Sequence, residues 1–382
     1  MRIELDDQPI TDIHCFSFAP QRRHTRSSLT KLFMAGGPTV MSINPELRTE
    51  DLAASVAYRR MIHHLSLLFK MSGGENEVLR KRNELAKRYD SYLRLLFGDA
   101  GIERMALDSG LEPVSFAEFR RHAPAKLYRI FRIEPLIKDL IAKSGGFDEL
   151  FTSFDETIQS AVRKHGFVGF KSVIAYRTGL DVGTPTEQEA RTSFRLRKEN
   201  REKEWFGPRV KPLRDFLLNH VAERSSKLRA FLQIHTGLGD TDVVAERCNP
   251  LLLSKFLKQE KVLKTPVILI HGGFPYTDEA AWLSSVFPNV YFELSTPFPP
   301  TYLPALSKER FRRVLEVVPT TRIVYGSDSI ETPEFHWLSA KLSKLALGET
   351  LGDLVDDGVL DEQGAHGAAA RILDRNGAGL LR

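Results

Sequence analysis

Five short strand-forming runs, spread over most of the chain, each end on one ionisable residue: His14 in TDIHCF, Lys171 in GFVGFKSV, His235 in RAFLQIHTG, His271 in PVILIHGG and Asp328 in RIVYGSDS. Turn or helix-start residues follow each of them at once. In a barrel of parallel strands the carboxyl ends of the strands converge on one mouth, which is where catalytic residues come from. Three imidazoles, an aspartate and a lysine meeting there are the groups that a divalent-metal site built for hydrolysis uses.

The rest of the chain supports such a barrel. Strand-like runs fall near 10–16, 103–108, 127–133, 167–174, 230–235, 266–271, 289–294 and 321–327, with helical periodicity between them, as in 213–225, 278–287 and 333–346. Strands alternating with helices predict a parallel sheet, and eight of them predict closure into a distorted (β/α)8 TIM barrel. Residues 25–100 are too long for a simple crossover. Their two amphipathic stretches, broken at SGGEN, predict a helical insertion after strand 1, over the mouth. Residues 181–212 are polar and charged and form a second insertion, a lid or an oligomer arm. The whole chain, 1–382, reads as one barrel domain, and GAHGAAARILDRNGAGLL reads as a closing helix stopped at GAG.

Composition removes several alternatives. Lys and Arg total 54 against 49 Asp and Glu, a net charge of only +5, and no basic stripe interleaves with aromatics, so nucleic acid is not an expected partner. Two cysteines, Cys15 and Cys248, are too few for a disulfide framework or a cysteine-based zinc site. No apolar stretch approaches the roughly 18 residues of a membrane span, and MRIELDDQPI lacks the layout of a signal peptide. A cytoplasmic enzyme acting on a small molecule is expected, with room for a homo-oligomer.

Each candidate has a structural and a chemical reading. His14 alone would more often be a core histidine; its place at a strand end favours the mouth. His235 and His271 both precede small residues and glycine, which let the loop bend away and leave the imidazole facing the mouth. Asp328 follows a Gly-Ser step and lies too far upstream of Pro333 to cap the next helix. It suits a metal ligand or a proton acceptor. Lys171 has three readings: a binder of a substrate carboxylate, a carbamylated metal bridge, or a core ion pair with Asp108, Glu134 or Asp328. Arg132, Glu134, Tyr176 and Arg177 sit at or just past strand ends and suit a carboxylate-bearing substrate. His63 and His64 belong to the insertion, and His336 among others has no assignment.

GFVGFKSVIAYRTGLD, LQIHTGLGD, NPLLL, GGFPYTDEAAWLSSVFPNVYFELS and IVYGSDSIETPEFHWL together resemble the amidohydrolase superfamily, in its amidohydrolase-related branch. The likeness extends to the N-terminal domain of plant and fungal proteins fused to a glutamine-synthetase-like domain, which is not expected within these residues. The resemblance implies a metal-dependent hydrolase with a divalent transition metal (Zn, Fe or Mn), one or two ions. It places His14 as the first histidine of a strand-one His-x-His pair, His235 and His271 on strands five and six, Asp328 on strand eight, and Lys171 where some members carry a carbamylated lysine. The second histidine of the pair is replaced by Phe16, which cannot ligate. The expected activity is cleavage of an acyl bond, an amide before an ester or thioester. Asp328, His271 and Lys171 are its catalytic groups. A decarboxylase or other lyase, or a non-catalytic binding descendant, are the alternatives.

Overall fold

The structure is a computed structural model and describes residues 1–33, 49–199, 208–240, 242–295 and 307–382. Eight parallel strands run in sequence order around a barrel: β1 Ile10–Cys15, β2 Ile102–Asp108, β3 Lys126–Arg132, β4 Phe167–Ser172, β5 Phe231–His235, β6 Val267–Ile270, β7 Val290–Glu293 and β8 Ile323–Val324. Their order gives a (β/α)8 TIM barrel, as expected. The last strand is much shorter than its apolar run. After Val324 the chain stays beside β1 through single hydrogen bonds, Ile13 N to Tyr325 O and the Ser327 and Asp328 amides to His14 O, which draw the two ends of the sheet together.

β5 and β6 are buried on both faces, so β6 reads as an unbroken VILI. Inside the barrel, Ile13, Ala106, Ile130, Phe231, Ile268, Ile270, Val324 and the C-terminal Leu381 form a small core that floors the mouth. The larger core lies between barrel and helices. The helix Phe147–Arg163 shows why they dock: Phe147, Leu150, Phe154, Ile158 and Ala161 recur at helical spacing and are the buried set. The predicted helices are present as Lys211–Leu228, Thr277–Val286 and Pro333–Asp356. GAG does not stop the final helix. Gly377 lies within Asn376–Leu380, where a Cβ would come 3.0 Å from the Thr11 side chain, so this glycine serves close packing beneath β1.

Among the described residues of 25–100, helices span Arg26–Thr30, Thr49–Ala53, Val56–Leu68, Glu75–Leu85 and Tyr89–Ala100. The stretch 34–48 lies outside the described residues. The described residues of 181–212 include the helix Glu187–Glu199, a 3-10 turn Pro208–Val210 and the start of the helix Lys211–Leu228, and residues 200–207 lie outside them. The first group is fastened to the barrel by a buried ion pair. Arg82 Nε is 2.6 Å from Glu334 Oε1, which also accepts the Tyr92 hydroxyl at 2.7 Å, while Thr332 donates to the other oxygen. Burial alone would raise the Glu334 carboxyl, but Arg82 outweighs it and holds the group down to about 2. A carboxyl depressed on folding adds stability above its unfolded value near 4.3, and that stability is lost as pH falls from there toward 2. Arg82→Met is expected to cost about 3–5 kcal/mol, the scale of a broken buried pair. It should also flatten the pH dependence of stability in that window, as read by denaturant titration at several pH values.

Candidate active site

Each of the eight strands delivers one ionisable side chain to the mouth: His14, Asp108, Arg132, Lys171, His235, His271, Glu293 and Asp328. Four come by plain alternation. Ala106, Ile130, Phe231 and Tyr291 face the inner core, and Asp108, Arg132, His235 and Glu293 lie two or four residues on. Lys171 lies two residues on from Gly169, which pairs with the inward Phe231, and His14, His271 and Asp328 need a departure from regular backbone. β1 has an irregular register between Asp12 and Cys15, which lets Ile13 and His14 face inward in succession. His271 follows the inward Ile270 and would point outward, but its φ of 65° turns it back; Asp328 has a φ of 52°. Left-handed backbone at two non-glycine residues costs energy and concentrates at functional sites. At Gly326 a Cβ would meet Glu293 Oε1 at 2.1 Å and His14 Cβ at 2.9 Å, so only glycine lets these groups approach.

Glu293 and Ser295 set the histidine tautomers. Ser295 Oγ donates to Glu293 Oε2 at 2.7 Å, so it accepts from His271 Nδ1 at 2.8 Å. His14 Nδ1 lies 3.5 Å from the same carboxylate oxygen. The Lys171 ammonium can only donate, and its Nζ is 2.6 Å from His14 Nε2. Both rings therefore carry the proton on Nδ1. The His14 Nε2 lone pair accepts from Lys171, and the Nε2 atoms of His14 and His271 lie 3.1 Å and 3.9 Å from the Asp328 oxygens. His235 differs: its Nε2 donates to Leu238 O at 3.1 Å, and its ring meets that of His271 edge to face with centroids 4.7 Å apart.

Burial, joined by the charge of Lys171, lowers His14 to about 4, and burial holds His235 and His271 well below the usual imidazole range. All three imidazoles are neutral at pH 7. Asp108 is held low: burial would raise it, but Arg132 and Lys171 outweigh that, with Lys171 Nζ at 2.9 Å. Asp328 has no such partner. Burial, with Glu293 and Asp108 nearby, drives its carboxyl well above the usual range despite Lys171 and Arg132. Asp108 thus holds both Lys171 and Arg132, and Asp328, in no ion pair with a lysine or arginine among the described residues, lies beside the Nε2 atoms of His14 and His271. That donor set fits a divalent transition metal. The donor atoms of His14, His271 and Glu293 also lie within 4.8 Å of one another.

Phe16 fills the place of the absent histidine. Its ring is buried, with Lys171 Nζ 5.1 Å and Arg132 Cζ 5.7 Å from the centroid. Tyr176 lies beside the mouth, its hydroxyl accepting from Asp240 N at 3.0 Å and its ring 4.5 Å from His235. Arg177 is 3.7 Å from Asp242. Glu134 is not brought to the mouth. It accepts from Ser172 Oγ and Val173 N at 2.7 and 2.8 Å and buttresses the end of β4. The sequence analysis missed Glu293 and Ser295 as site residues. A glutamate closing the apolar run VYFE was the available signal, since a buried carboxylate demands partners.

The family model for amidohydrolases matches residues 140–374, more than half of the chain. The chain is 30% identical to protein fluG of Emericella nidulans over 98% of its own length and spans 46% of that protein. A candidate metal-dependent hydrolase from Lactobacillus casei is 27% identical and superposes with a TM-score of 0.84, covering 100% of this chain and 98% of that one. Uronate isomerase from Thermotoga maritima, at 13% identity and a TM-score of 0.71 over 99% and 95% of the two chains, shares the fold. No helix among the described residues is long and apolar enough to cross a membrane. Eight parallel strands, a mouth ringed by imidazoles and carboxylates, and the family match lead to one conclusion: the chain belongs to the amidohydrolase family.

Proposed function

We propose that this protein is a metal-dependent hydrolase that cleaves an acyl bond, an amide in preference to an ester or thioester, in a small substrate carrying a carboxylate. The observation that carries this reading is that the Nε2 atoms of neutral His14 and His271 lie 3.1 and 3.9 Å from the Asp328 carboxyl, with the His235 ring 4.7 Å from that of His271. A divalent transition metal (Zn, Fe or Mn) held by Asp328 and the imidazoles would supply positive charge that makes a water molecule more acidic. One ion satisfies the donors facing Asp328; a second would need Lys171 carbamylated.

The chain's own groups supply the rest. Asp328 accepts a proton from water and returns it to the leaving nitrogen. His271 is fixed by Ser295 and Glu293 so that its lone pair faces the reacting atoms. Lys171 is held by Asp108 and stabilises negative charge developing on the substrate carbonyl oxygen. Arg132, backed by the same aspartate, together with Tyr176 and Arg177, favours a carboxylate on the substrate. The barrel with its two insertions, 25–100 and 181–212, works as one domain in this reading.

Elemental analysis of protein grown in metal-supplemented medium should find at least about half an equivalent of transition metal per chain. A chelator should remove hydrolysis, and reconstitution restore it. Metal below about a tenth of an equivalent, unchanged by reconstitution, would make the protein a binder and not an enzyme. Release of carbon dioxide from a carboxylate substrate without uptake of water would make it a lyase.

A further inference from the structure

The backbone irregularity that turns His14 into the mouth has a second consequence on the opposite face of β1. With Ile13 and His14 both inward, Asp12 and Cys15 share the outward side, where the helix Pro333–Asp356 lays His336 against them. We propose that Asp12, Cys15 and His336 form a buried site for a divalent transition metal of zinc type, separate from the mouth and structural in role.

The three donor atoms lie within 4.8 Å of one another, and none of the residues is more than 1% exposed. His336 is the residue that calls for an explanation. Its Nδ1 is 4.0 Å from Asp12 Oδ2, too far for a hydrogen bond, and neither ring nitrogen has a hydrogen-bond partner among the described residues. The ring is packed between Phe18 and Phe97, at 5.0 and 6.3 Å, so bulk water does not serve it. A fully buried imidazole left unsatisfied at both nitrogens needs an ion or an ordered water.

The neighbours favour the ion. Cys15 Sγ makes a weak contact with Ala106 O at 3.6 Å and lies against the Asp12 carboxyl. Asp12 is oriented by three donors, the His14 amide at 3.2 Å, the Ser327 amide at 3.1 Å and Ser327 Oγ at 2.6 Å. Outer hydrogen bonds of that kind fix ligating carboxylates. Imidazole nitrogen, thiolate sulfur and carboxylate oxygen are the ligand types zinc takes, with water completing the tetrahedron. On binding, the Cys15 thiol gives its proton to solvent, and one dication then balances one thiolate and one carboxylate, which leaves a neutral centre in an apolar surround. Two cysteines do not make a cysteine-based zinc site, but one cysteine in a mixed set serves. The ion would tie the end of β1 to the helix that follows β8, the two segments that place His14 and Asp328.

Growth in minimal medium with Co2+ as the added metal tests the site, because only a thiolate ligand gives cobalt an intense near-ultraviolet charge-transfer band. The wild type should show that band. Cys15→Ser should lose it together with about one equivalent of metal, His336→Gln should lose or shift it, and Cys248→Ser should keep it. The double variant His235→Ala/His271→Ala should lose the mouth metal and keep the band, so failure of this site and failure of the proposed catalytic reading are told apart. Cobalt-loaded wild type without the band, or a band that survives in Cys15→Ser, overturns the proposal. The wild-type spectrum decides even if a variant does not fold.

Discussion

Replacing Asp328 with Asn should lower turnover by about 10²-fold or more, the scale of a lost general acid–base group, with the barrel still folded. The amide keeps the shape of the carboxylate and removes the proton acceptor. Backbone cost does not confuse the result, because Asn tolerates the left-handed region as readily as Asp does and position 328 has φ 52°. The surroundings do not oppose the exchange either. The carboxyl is already driven toward its neutral form by burial and by Glu293 and Asp108, so a neutral amide adds no buried charge. Steady-state rates on the wild type and the variant, with the far-ultraviolet circular dichroism of each, check the prediction. A variant within a few-fold of wild type removes Asp328 from the mechanism.

The place of Asp328 was legible in the sequence because a carboxylate beyond an apolar run has few structural uses. The same held for His14, Lys171, His235 and His271, each closing a run of strand formers. What a one-dimensional pattern could not show is how each side chain turns inward. Alternation along β6 would send His271 outward, and the left-handed turn at that residue reverses it. Nor does TDIHC reveal that two successive residues face the mouth while Asp12 and Cys15 share the far side, since that depends on register against β2. Glu293 escaped for a different reason. VYFELS carries the same signature of a charge at a strand end, but the argument from imidazoles and the strand-eight aspartate left it without a role. Its place is behind the imidazoles, fixing which nitrogen of His14 and His271 is protonated. Glu134 shows the reverse: a carboxylate just past a strand end whose Oε1 accepts from Ser172 and Val173 behind β4. The boundary of β8 was misjudged because RIVYGS is apolar enough for a strand, while beyond Val324 only isolated hydrogen bonds to β1 remain.

Metal retention should depend more on His235 and His271 than on His14, and the reason lies in Lys171. Its ammonium sits 2.6 Å from His14 Nε2 and 2.9 Å from Asp108, with Phe16 closing that side. A cation approaching His14 must displace this hydrogen bond and work against a like charge, whereas His271 Nε2 faces Asp328 at 3.9 Å and the His235 ring beside it gives up only a hydrogen bond to Leu238 O. Loss of a direct ligand should exceed the roughly 10–100-fold drop in affinity that follows loss of an outer hydrogen bond, so His271→Ala and His235→Ala should each weaken binding by more than about 100-fold. His14→Ala should cost less. Lys171→Met separates the two states of that lysine. If it works as an ammonium, its removal retains or strengthens metal binding while activity falls, and Asp108 keeps Arg132 as its partner. If it is carbamylated and bridges metals, its removal empties the site. Phe16→His should add affinity chiefly in the Lys171→Met background, where the competing charge is gone. Metal quantitation across these variants under one buffer decides the matter. Should His14→Ala alone empty the site while His235→Ala and His271→Ala keep their metal, the ion belongs against β1, and Lys171 must move aside to admit it.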